Sequence, residues 1–215
     1  MKIDNIIKEN LKDRVLGIFG KSGSGKSVLT SNILQSELTK NLNKKIIFVS
    51  ATKNLYIDNK FFNYKITNSD QIQILFKKIQ NGERAFINVI NEKILNIIAL
   101  ECLLRKNFLL VLDDVDGYLS KHNKKLEFIL TYHRHKLLSI IYITRRPQNI
   151  PPLLILNTHM SFCFKFTEPN SLDIVSKNFP SDEENTKELI SNLDYSNHEY
   201  YFYSQNVQGV IKNDK

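Results

Sequence analysis

This chain of 215 residues has no tryptophan, only two cysteines, and no uncharged apolar run approaching the ~18 residues needed to cross a bilayer. Met1 to Asn5 lacks the apolar core of a secretory leader. A soluble, cytoplasmic protein without stable membrane insertion is therefore expected. Cys102 and Cys163 sit alone in apolar segments at no metal-like spacing, which excludes a disulfide framework and suits buried thiols in a reducing compartment. Low-complexity tracts and internal repeats are missing too. What remains is 42% hydrophobic residues, enough for one full core with a small appendage. An excess of 30 Lys and Arg over 22 Asp and Glu gives a net charge of +8, which favours a polyanionic partner.

Glycine is scarce as well, with seven in the chain, yet three of them fall in Gly20-Lys21-Ser22-Gly23-Ser24-Gly25-Lys26-Ser27. The stretch follows the apolar run Val15 to Phe19 and precedes a helical pattern, which is the context of a P-loop. Backbone N–H groups can wrap a phosphate only where no Cβ intrudes, so Gly20, Gly23 and Gly25 suit the chemistry. Lys26 would place its charge on the β- and γ-phosphates, Ser27 would offer a hydroxyl to Mg²⁺, and the helix N-terminus would add partial positive charge. ATP and Mg²⁺ are the expected ligands.

Strand and helix signals alternate along the rest of the chain. Strands are predicted at Val15 to Phe19, Lys45 to Ser50, Arg84 to Ile90, Phe108 onward, Ser139 to Thr144 and Met160 to Phe166, with an edge element at Phe61 to Ile66. Helices are predicted at Lys26 to Leu42, around Ile72 to Ile79, at Asn91 to Leu104 and at Ser120 to Leu137. The alternation implies an α/β fold, a mainly parallel sheet flanked by helices. Residues 1–166 are expected to form the core. Residues 167–215 would add two helices, the second opened by a Ser181/Glu184 capping box, and a hairpin with Gly209 near its turn.

Phe108 to Asp114 runs five apolar residues into two carboxylates, the pattern of a Walker B strand. Asp113 would hold Mg²⁺ and Asp114, on the other side of the backbone, would orient the attacking water, with Asp116 a third possibility. Farther on, the strand Ser139 to Thr144 runs into Arg145, Arg146 and Pro147, a basic cluster where open α/β sheets place ligand contacts.

The block Arg134-His-Lys-Leu-Leu-Ser-Ile-Ile-Tyr-Ile-Thr-Arg-Arg-Pro-Gln148 resembles the conserved block of the FtsK/HerA superfamily of DNA-pumping ATPases. With the P-loop and the double acid, three family motifs stand in the family's order over residues 14–166. The spelling is most like the viral genome-packaging, poxvirus-type ATPases, with filamentous-phage assembly proteins as relatives. The resemblance implies a RecA-like ASCE domain that forms a homo-oligomeric ring, hydrolyses ATP between subunits and drives double-stranded DNA without sequence specificity. A capsid or portal-vertex protein would be a further partner. It implies that Arg134 reaches a neighbour's γ-phosphate and that Arg146 is the arginine of the family's Thr-Gln-Arg-Pro, with Arg145 either a phosphate sensor or, if Arg134 is structural, the trans-acting finger. Two departures stand out: Leu137 replaces a family glycine, and Arg145 replaces a sensor glutamine, donating where glutamine can also accept. The second acid, Asp114, is aspartate where most such motors carry glutamate. A DNA-secretion or phage-assembly ATPase, or a weakly hydrolysing nucleotide switch, are the alternatives. Loop Lys53 to Lys65 is the expected DNA contact.

Overall fold

The computed structural model describes residues 11–36, 43–52, 56–88, 91–177, 183–204 and 208–211. Its centre is a nine-stranded sheet. The strands are β1 (Val15–Phe19), β2 (Lys45–Ser50), β3 (Tyr64–Ile66), β4 (Arg84–Asn88), β5 (Phe108–Asp113), β6 (Leu138–Thr144), β7 (Thr158–Phe164), β8 (Tyr200–Ser204) and β9 (Gln208–Ile211). They lie in the order β3-β4-β2-β5-β6-β1-β7-β8-β9. The seven from β3 to β7 run parallel, as their continuous apolar sequences require of strands covered on both faces. β8 and β9 are antiparallel additions.

The helices are α1 (Lys26–Gln35), α2 (Gln71–Lys78), α3 (Glu92–Arg105), α4 (Lys124–Tyr132), α5 (Pro152–Leu156), α6 (Pro169–Ser176) and α7 (Glu183–Asn192). Side chains of α2 to α7 pack into one apolar cluster with one face of the sheet, around Ile47, Leu110, Leu112 and Tyr142. On the other face Leu29, Ile33 and Leu34 of α1 meet Ile18, Phe48, Val111 and Ile143. The P-loop helix therefore covers its own face of the sheet.

Several boundaries differ from the sequence reading. Helix α1 stops at Gln35, because Ser36 turns extended and its hydroxyl caps the carbonyl of Ile33; residues 37–42 lie outside the described residues. Val28 of α1 is exposed despite its apolar side chain, as is Ile97 of α3. The helix expected from Ser120 to Leu137 begins only at Lys124, where the buried Asn123 accepts the N–H of Leu126 on its side-chain oxygen. It yields after Tyr132 to a 3₁₀ turn, Arg134–Lys136. Gly209 lies near the turn end of the β8–β9 hairpin, opposite Phe202, and β7 does not close the sheet because β8 pairs with it. Ser181 and residues 89–90 lie outside the described residues.

Candidate active site

Strand β1 delivers Gly20 to its C-terminal edge, where the Gly20 N–H donates to the carbonyl of Thr144 on β6 at 3.3 Å. A Cβ at Gly20 would stand 2.6 Å from Ser24 Oγ and 2.8 Å from Phe164 Cβ, so only glycine fits this close approach. Gly25 holds φ at +101° and passes the chain into α1, whose first turn has no side-chain cap. Backbone N–H groups of that turn are thus open to an anion. Ser24 Oγ is buried without a hydrogen-bond partner, an orphaned polar atom inside the loop. Lys26 is buried and its Nζ donates to the Lys21 carbonyl at 2.6 Å. Burial lowers its pKa to about 8, with Asp114 the main opposing influence. A buried ammonium folded back on its own loop, beside an unpartnered hydroxyl, fits a phosphate chain. Ser27 follows with an exposed side chain at the start of α1.

Asp113 ends β5 beside the end of β2, because the parallel register sets Ser50 opposite it. Ser50 Oγ donates to Asp113 Oδ2 at 3.0 Å, Tyr56 O–H donates toward Oδ1 at 3.4 Å, and Tyr118 O–H donates to the Asp113 carbonyl at 2.9 Å. Burial, and next the charge of Asp114, raise the Asp113 pKa to about 6. A carboxylate held so far from water gains from a cation beside it. Among the described residues no three His, Cys, Asp or Glu side chains cluster to hold a metal. The Asp113 carboxylate and the Ser27 hydroxyl are oxygen donors of the kind that Mg²⁺ takes beside waters and phosphate oxygens.

Asp114 does not continue the strand. It takes φ of 48° and opens the 3₁₀ turn Val115–Gly117, so a left-handed residue, not strand alternation, aims its carboxylate. Oδ1 of Asp114 lies 3.3 Å from Arg145 Nε. Asp116 is otherwise engaged: its Oδ1 accepts from Thr144 Oγ1 and from the Arg145 N–H, both at 3.0 Å, tying the turn to the end of β6. Arg146 is exposed, and its N–H donates to Thr144 Oγ1 at 3.1 Å. The structure thus gathers Lys26, Asp113, Asp114 and Arg145 at one edge of the sheet.

Arg134 is not among them. It precedes β6, at the opposite edge, where its guanidinium meets Nε2 of His159. Nδ1 of His159 accepts the Val15 N–H at 3.2 Å, so the neutral ring carries its proton on Nε2. Burial and the charge of Arg134 together lower the His159 pKa to about 4. His133, just past α4, is buried, and its Nδ1 bonds the Leu130 carbonyl at 2.6 Å, as in a packed histidine.

Sequence reasoning missed Ser50, Tyr56 and Tyr118 around Asp113. It also missed the turn 194–199, where Tyr195 O–H donates to the Ser22 carbonyl at 2.7 Å and His198 lies against Gly25. A polar residue ending a buried strand, as Ser50 does, was the one available signal.

The NB-ARC domain family model matches residues 2–178. No curated protein matches the chain. Among solved structures, the genome packaging NTPase B204 from Sulfolobus turreted icosahedral virus 2, in complex with AMP, aligns at TM-score 0.70 and 20% identity, covering 94% of this chain and 97% of that one. The DNA-packaging ATPase B204 from Sulfolobus turreted icosahedral virus aligns at TM-score 0.70 and 20% identity, covering 95% and 98%. The bacterial conjugative coupling protein TrwB aligns at TM-score 0.64 and 10% identity, covering 94% and 85%. At these identities the likeness is one of fold, and the shared fold is the RecA-like P-loop NTPase.

Proposed function

Because the chain belongs to the NB-ARC domain family and is a P-loop ATPase, we propose that it couples ATP hydrolysis to the movement of double-stranded DNA, packaging a viral genome into a capsid. The observation that carries this reading is the separation of two arginines. Arg145 stands in its own subunit's site beside Asp114, whereas Arg134 stands at the opposite edge of the sheet, against His159. An arginine so placed can reach only a nucleotide held by another copy, which is the arrangement of a ring with composite sites. The roles of the viral B204 proteins and of TrwB, one packaging and one conjugative, favour DNA as the cargo.

In this reading the N–H groups of Gly20 to Ser27 and the Lys26 ammonium hold the phosphates, with Ser27 and Asp113 as the Mg²⁺ donors. When bound, ATP supplies the phosphoric anhydride to be cleaved, and Mg²⁺ offsets charge on its oxygens. Asp114 orients water, Arg145 donates to the terminal phosphoryl within the subunit, and Arg134 or Arg146 does so from a neighbour. Residues 1–166 act as the motor core and 167–215 as its appendage. The host cytoplasm is the place of action, and a capsid or portal-vertex protein is the docking partner.

The Asp114–Arg145 ion pair gives a second reading some support. A carboxylate held by a guanidinium is less free to orient water, as a slowly hydrolysing switch would need. Steady-state hydrolysis with and without long double-stranded DNA, at low salt and over a protein-concentration series, separates the two. A motor gives DNA stimulation that rises with protein concentration. A negligible rate indifferent to DNA, despite ATP binding, overturns it.

A further inference from the structure

In the sheet order, β6 and β5 lie on one side of β1 while β7 and β8 lie on the other. Asp113, Asp114 and Arg145 all come from the β5 and β6 side. A triphosphate in the loop Gly20 to Ser27 points its terminal phosphoryl at those groups, so its nucleoside leaves the loop toward β7 and β8. The segment standing there is the turn 194–199, which joins α7 to β8.

This turn has a fixed shape. Asp194 Oδ1 accepts the N–H and the hydroxyl of Ser196 at 2.8 and 2.6 Å, and its Oδ2 accepts from Asn197 Nδ2 at 2.6 Å. The Asp194 N–H donates to Glu199 Oε2 at 2.9 Å, and the Glu199 N–H returns to the Asp194 carbonyl at 3.1 Å. Two rings are thereby set against the P-loop. Tyr195 is tied by its hydroxyl to the Ser22 carbonyl, and a Cβ on Gly25 would lie 3.1 Å from His198 Cβ and Cγ. Packing alone does not account for the phenol, which remains 43% exposed with its hydroxyl already bonded. Aromatic surface held open beside a phosphate loop is what a nucleobase needs.

We propose that the turn 194–199 is the nucleoside wall of the site, with Tyr195 stacking on the nucleobase and His198 closing the wall above Gly25. The proposal rests on the nucleotide-binding reading of the P-loop. It gives the C-terminal appendage a part in substrate recognition.

The test is calorimetric titration of the full chain with Mg²⁺ and either ATP or inorganic tripolyphosphate, which has the phosphates but no base. Wild-type protein should bind ATP more tightly than tripolyphosphate. Tyr195→Ala should weaken ATP by about 5- to 150-fold, the span of a lost base stack, and change tripolyphosphate by less than about twofold. Tyr195→Phe keeps the ring and loses only the bond to Ser22, so it should retain ATP affinity. Equal wild-type affinity for the two ligands overturns the proposal. So does equal weakening of both by Tyr195→Ala, or a loss in Tyr195→Phe as large as in the alanine variant, since either would make Tyr195 a brace of the loop. Failure of wild-type protein to bind either ligand would instead refute the P-loop reading itself.

Discussion

Leu137 ends the 3₁₀ turn before β6 at φ of 54°, and its N–H donates to the Arg134 carbonyl. A side chain in the left-handed region costs about 1–2 kcal/mol, which is why a glycine is usual at such a helix end. Leu137 is 44% exposed and its carbonyl, not its side chain, accepts from Lys44 Nζ at 2.6 Å. Leu137→Gly should therefore stabilise the fold by about 1 kcal/mol, raising the melting temperature by roughly 2–4 °C; a lower melting temperature in a thermal scan would show that the leucine packs in solution. Lys26→Ala should abolish ATP turnover, because the loop's other cation, Lys21, is exposed and directs its Nζ to Thr167 Oγ1; persistent turnover in a coupled assay would refute the assignment. Residues of this kind were legible in the sequence where their chemistry is contiguous. The eight-residue loop carries its own explanation, as do Asp113 and Asp114 after a buried strand. Ser50, Tyr56 and Tyr195 were not legible, since they meet Asp113 and Ser22 across 63, 57 and 173 positions of chain. Such meetings depend on strand order, which apolar periodicity does not encode.

Strands were easier to read than helix ends. β1, β2 and the start of β5 fall where β-branched apolar runs place them, because a parallel strand buried on both faces leaves a dense signature. Helix limits depend on single capping contacts. Ser36 ends α1 and Asn123 starts α4 through hydrogen bonds that a hydrophobic period cannot show. Asn123 is buried, caps Leu126 and also donates to Asn96 Oδ1 of α3 at 2.9 Å. Asn123→Ala should cost about 1–2 kcal/mol by denaturant titration, and an unchanged midpoint would mean that another residue takes over the cap. At the 3₁₀ turn before β6, Arg134 makes a prediction about pairs of subunits. Lys26→Ala and Arg134→Ala proteins, each inactive alone, should regain part of the ATPase rate when mixed. No recovery would move the trans-acting role to Arg145 or Arg146, or make Arg134 structural.

Across the whole molecule, stability should respond to acid through the histidines packed at the sheet edge remote from the P-loop. His159 has its pKa lowered from the ordinary 6.5 to about 4, chiefly by burial and then by Arg134, and burial lowers that of His133 as well. A base whose folded pKa is depressed takes up its proton more readily when unfolded. Stability is therefore full above about pH 6.5 and falls as the pH drops toward 4. Melting curves should shift downward across that window, and His159→Asn should flatten the dependence; an identical slope in the variant would assign the acid loss to other groups. The sheet order has a further consequence, for the time course of synthesis. β1 ends at Phe19, but the strands on either side of it begin at Leu138 and Thr158. The ribosome, at about 5–20 residues per second, reaches those partners roughly 6 to 26 seconds after the P-loop. Until then the nascent loop has no flanking strands to shape it. The emerging polypeptide therefore acquires its nucleotide site late, when most of the chain has been made.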